Sequence, residues 1–77
     1  MSYTPEMIEE LELLSLFNLA STQEGIKVHK TASSSAVSAA QRLFDKGLIT
    51  QVDGGYLTSL GHDAAEHAQA LLQILKC

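Results

Sequence analysis

The sequence predicts a mainly α-helical domain with one small β-hairpin. Apolar residues recur at helical spacing in three stretches, around residues 5–17, 34–46 and 59–75. Between the last two, the strand-like runs "LITQV" and "YLT" flank "DGG", a strong short-range hairpin signal. Nearly half the chain (45%) is apolar but only Tyr3, Phe17, Phe44 and Tyr56 are aromatic, so the core must come from Leu, Ile, Val and Ala, which suits helices. At 77 residues, with no repeat, linker or composition shift, the chain reads as one domain spanning 1–77. A domain of this size buries about 60–65% of its unfolded surface, so its stability is marginal when alone.

The first helix should start at Thr4, a capping residue followed by Pro5 at the position where a missing N–H costs nothing. Glu6, Glu9 and Glu10 suit the positive end of its dipole. Met7, Ile8, Leu11, Leu14 and Phe17 form the expected inner stripe, while Leu13 and Leu16 fall off it and widen the apolar surface. Residues 18–25 read as a turn region. In "IKVHK" (26–30) Ile26 and Val28 alternate with Lys27 and His29, so a short strand is the first choice and a short helix over 22–30 the alternative.

Serines at 33–35 offer an N-cap for the second helix, whose expected buried stripe is Ala36, Val37, Ala40, Leu43 and Phe44. Ser35, Ser38, Ala39, Arg42 and Lys46 lie on the opposite face, and Gly47 closes the helix. The hairpin follows, with either a two-residue turn or a three-residue loop and bulge. Thr58 then caps the last helix, whose face is expected to run through Leu60, Ala64, Ala68, Leu71 and Leu75, broadened by Leu72 and Ile74.

From Ser35 onward, "SAVSAAQRLFDKGLI" and "YLTSLG" resemble winged helix-turn-helix regulators of the MarR and PadR type. In those families such a helix start, a Leu-x-x-x-Gly-Leu-Ile ending and a wing closing in Leu-Thr-x-x-Gly recur in this order, and the likeness covers about half the chain. The whole chain also resembles a small uncharacterised family of gammaproteobacterial proteins of about this length. The resemblance implies a winged-helix-like fold, a DNA-binding or transcription-associated role and dimerisation through the terminal helices. The chain departs from the pattern at "GIKVHKTA", where a further helix is usual, and at the wing tip, where Asp53 stands in place of a base.

The net charge of −4 is uneven: −5 over residues 1–25, +3 over 26–46 and −2 over 47–77. If double-stranded DNA is the partner, the helix at 34–46 enters the major groove. Ser34, Ser35, Ser38 and Arg42 then face bases or sugars, and Lys27, His29, Lys30 and Lys46 meet phosphates. A homodimer is expected through Leu13, Leu16 and Phe17 with Leu71, Leu72, Ile74 and Leu75. The alternative is the same scaffold used for protein–protein interaction without DNA.

No enzyme motif stands out: there is no glycine-rich phosphate loop and no paired catalytic carboxylates. His62 precedes Glu66 by four residues and Asp63 precedes His67 by four. Two pairs pointing in different directions do not make the three or four converging ligands of a zinc site, so neither metal nor cofactor is expected. The single Cys77 forms no internal disulfide. With no apolar run near the roughly 18–20 residues of a membrane span and an acidic N-terminal stretch, a soluble cytoplasmic protein is expected.

Overall fold

The computed structural model describes residues 3–20, 25–28 and 33–76. The elements are α1 (Pro5–Leu14), β1 (Ile26–Lys27), α2 (Ser34–Asp45), β2 (Ile49–Gln51), β3 (Gly54–Leu57) and α3 (Ser59–Lys76). The strands form one antiparallel sheet in the order β1-β3-β2. Three helices beside a small antiparallel sheet are compatible with a winged-helix-like fold. Among the described residues no helix separates β1 from α2, and no helix is long and apolar enough to cross a membrane.

The helix starts follow local chemistry. The Thr4 hydroxyl accepts from the Met7 amide at 3.1 Å, and the Ser33 hydroxyl accepts from the Ala36 amide at 3.2 Å. The end of α2 is a Schellman turn. Gly47, at φ 78°, donates to the Phe44 carbonyl, and Leu48 donates to the Leu43 carbonyl, both at 3.0 Å.

The inward face of each helix agrees with expectation in part, with Leu14 and Phe17, Ala40 and Leu43, and Ala68 buried as expected, but it is rotated from the expected stripe. On α1 and just beyond it, Glu10, Leu13, Leu14 and Phe17 are buried, whereas Met7 and Ile8 are exposed. Both sets keep helical spacing. The observed one prevails because α2 supplies cations that make Glu10 tolerable inside. On α2, Ala39 is fully buried with Ala40 and Leu43, while Val37 and Phe44 lie at the surface. On α3 the inner face is Gly61, Ala65 and Ala68, and Leu60, Leu71 and Leu75 face out. At Gly61 the small residue is required, because the Leu48 carbonyl stands where a Cβ would be.

Residues 26–27 form a strand, the first of the two expectations for that segment. The hairpin turn lies at Val52–Asp53, and Gly54 and Gly55 belong to β3 with φ of 129° and 75°. The register shifts between Ile49 and Gln51, so a bulge is present. Gly54 also faces β1: a Cβ there would strike the Ile26 carbonyl oxygen.

Thr58 joins the hairpin to both flanking helices. Its hydroxyl accepts from the Gly61 amide at 3.0 Å and donates to the Gly47 carbonyl at 2.6 Å, and its own amide donates to the Leu48 carbonyl at 3.0 Å. That last carbonyl occupies the space a Cβ on Gly61 would need. At the far end of α3, Gln69 donates from Nε2 to the Leu14 and Phe17 carbonyls at 3.2 and 2.8 Å, satisfying acceptors that the end of α1 leaves open.

Candidate functional site

Among the described residues, the cations expected to meet DNA, Lys27, Arg42 and Lys46, each face a carboxylate of the same chain. Arg42 does not project from the outer face of α2. It turns back onto α1, donating from Nε to the Glu10 carboxylate at 3.0 Å and from its terminal nitrogen to the Glu6 carbonyl at 3.3 Å. Lys46 donates to the other Glu10 oxygen. One carboxylate, on a residue only 8% exposed, therefore holds two cations. Burial alone would push the Glu10 carboxyl up. The hydrogen bonds from Lys46 and Arg42, with the charges behind them, outweigh burial and hold it below its ordinary value.

Lys27 lies 4.0 Å from Asp53 at the hairpin tip, with both side chains well exposed. Ser34, Ser35 and Ser38 are exposed, and the Ser35 hydroxyl sits 3.2 Å from that of Ser33. His29 and Lys30, also expected at a phosphate backbone, lie outside the described residues. The sequence reading missed Glu10. Its only signal was an acidic residue at the head of an otherwise apolar stripe, Leu13, Leu14 and Phe17.

The expected dimer patch does not form one surface. Leu13 and Phe17 are part of the core, which corrects their assignment to an interface. Leu72 is half-buried beside Gln69 and Ser15. Leu71, Ile74 and Leu75 project from the last turns of α3, the latter two 69% exposed. Leu16 is 64% exposed but belongs elsewhere, on a groove between α1 and the start of α2.

That groove, about 330 Å³, is lined by Glu9, Glu12, Leu13, Leu16, Ser35 and Ala36. A second, more apolar groove of about 440 Å³ runs between β1, α2 and the hairpin tip, over Val28, Val37, Ala40 and Val52, with the Lys27–Asp53 pair at its rim.

On α3, His62 Nδ1 stands 3.2 Å from a Glu66 oxygen, as the spacing suggested. Asp63 falls in with these two, not with His67, and the three offer donor atoms within 4.8 Å of one another. One nitrogen and two oxygens could touch a divalent ion. All three come from one helix, His62 half-buried and the two acids exposed, and the His62–Glu66 contact already occupies two of them.

The chain matches the model of a family of unknown function (DUF5669) over residues 1–76, and belongs to that family. No curated protein and no solved structure shows significant similarity to it.

Proposed function

We propose that this DUF5669 chain is a protein-interaction module on a winged-helix-like frame, that it pairs with a second copy of itself, and that it does not read DNA through α2. The observation that carries the reading is that, among the described residues of the basic segment, Lys27, Arg42 and Lys46 each face a carboxylate of the same chain. A phosphate backbone would have to compete for Arg42 and Lys46 with a Glu10 carboxylate that is itself buried and relies on these two cations as its partners. The self-association is supported by Leu71, Ile74 and Leu75, a contiguous apolar face on a small domain. We assign the module to the cytoplasm, since a chain with one cysteine relies on no internal disulfide.

Titration of labelled mixed-sequence duplex DNA at low and moderate salt tests the first part. No saturable binding is expected. Binding that falls steeply with salt, with a slope flattened by Arg42→Ala and Lys46→Ala together, would restore the DNA reading. Light scattering at micromolar concentration tests the second part. A dimeric mass that becomes monomeric in Leu71→Ser/Ile74→Ser is expected, and a monomeric wild type refutes it.

A further inference from the structure

We infer that the groove between α1 and the first turn of α2 docks a basic segment of a partner protein, separately from the α3 face. Glu9, Glu12 and Leu13 follow one another at i, i+3 and i+4 on α1, and Leu16, in the turn just beyond the helix, extends the same wall of the groove. Leu13 is buried beneath that wall, and Leu16 stands 64% exposed at its end. Among the described residues no cation lies within ion-pair distance of Glu6, Glu9 or Glu12, in contrast to Glu10 with its two. The last turn of α1 holds no basic residue, so the negative end of its dipole adds to the field of Glu12.

The opposite wall is the start of α2, with Ser33, Ser35 and Ala36. This is the positive end of that helix, so it disfavours cations. The two walls therefore orient an occupant. Lysine or arginine side chains meet Glu9 and Glu12 on the α1 side, an apolar side chain covers Leu16 and Ala36, and hydrogen-bond acceptors face the serine hydroxyls. This is charge complementarity around a small apolar anchor, the arrangement that gives a weak interface its specificity. The inference rests on the interaction reading but not on self-association, so a monomeric mass would leave it standing.

The test is fluorescence anisotropy with a labelled amphipathic peptide of lysine and leucine, at low salt, against the full chain. Saturable binding is expected. Glu9→Gln/Glu12→Gln should weaken it by roughly tenfold, as two lost surface charge contacts would. Leu16→Ser should weaken it by several-fold, and so should exchange of the peptide's leucines for serines. Asp63→Asn/Glu66→Gln removes the same net charge from α3 and should change affinity less than twofold. All the altered positions but Glu9 are exposed, and an unchanged thermal midpoint confirms folding of each variant. Absence of binding overturns the proposal. So does equal weakening by the α3 control, which would mean a response to overall charge, or equal binding of the serine peptide, which would mean the groove is not used.

Discussion

Replacing Glu10 with Gln tests what holds α1 to α2. In the native fold this carboxylate accepts from Arg42 Nε at 3.0 Å and from Lys46. The Arg42 side chain is 30% exposed, so its charge-assisted bond belongs to the stronger class, about 1.5–3 kcal/mol. The Lys46 side chain is 54% exposed, which lowers its share to the range of surface pairs, about 0.2–1 kcal/mol. Glutamine keeps the shape and one acceptor oxygen, so part of the bonding survives. The net expectation is a loss of about 2 kcal/mol at neutral pH, or about 8–16 °C in Tm for a domain of this size.

Urea unfolding followed by circular dichroism reads the free-energy difference directly. Its pH dependence gives an independent check. The folded Glu10 pKa lies below its ordinary value of 4.5. Its stabilisation is thus fully present above that value and is lost as pH falls through the folded pKa. Glutamine does not titrate, so the wild-type and variant stabilities should converge in acid. A difference below about 0.5 kcal/mol at pH 7, the usual scatter of a surface substitution, would refute the reasoning. So would a difference that keeps its full size well below the ordinary carboxylate pKa.

Gly61→Ala and Gly47→Ala should diverge in thermal unfolding. The first drives a Cβ into the Leu48 carbonyl and should cost about 3 kcal/mol or more. The second meets open space and carries only the left-handed backbone penalty at φ 78°, about 1 kcal/mol. Leu43→Ala empties the largest fully buried side-chain site and should cost about 2–5 kcal/mol in urea unfolding at constant m-value. Thr58→Val removes both the cap of α3 and the bond to the Gly47 carbonyl, for an expected loss of about 1–2 kcal/mol by the same measurement.

The features legible in the sequence are those governed by neighbours in the chain. Thr4, Ser33 and Thr58 cap amides three residues on, and Gly47 closes the helix immediately before it. The inward faces were legible only in part: Leu14, Phe17, Ala40, Leu43 and Ala68 are buried as their spacing suggests, but the rest of each stripe is not. On α1, apolarity favours the stripe through Met7, Ile8 and Leu11, because the competing stripe begins with a glutamate. That glutamate is buried only because Arg42 and Lys46 arrive from 32 and 36 residues away, and such a pairing leaves no mark in a local window. On α3, the larger residues Leu60, Leu71 and Leu75 would release more free energy on burial than Gly61 and Ala65, which are buried in their place. At the helix start the Leu48 carbonyl leaves room only for the glycine at position 61.

The two stretches "SAVSAAQRLFDKGLI" and "YLTSLG" bear on the same distinction. Within "SAVSAAQRLFDKGLI", Ala39, Ala40, Leu43 and Ile49 are core and Gly47 closes a helix. In "YLTSLG", Thr58 ties three backbone segments together and Gly61 admits the Leu48 carbonyl. Packing and capping account for each of these residues without any ligand, so any chain using this frame would need similar ones whatever it binds. Arg42 makes the point most sharply: within the motif it is the side chain best suited to read a base, and here it is spent on Glu10. Information about partners therefore lies in residues the frame does not require. Glu9, Glu12 and Leu16 border one groove, and Leu71, Ile74 and Leu75 leave the end of α3 apolar where a free-standing helix would be polar.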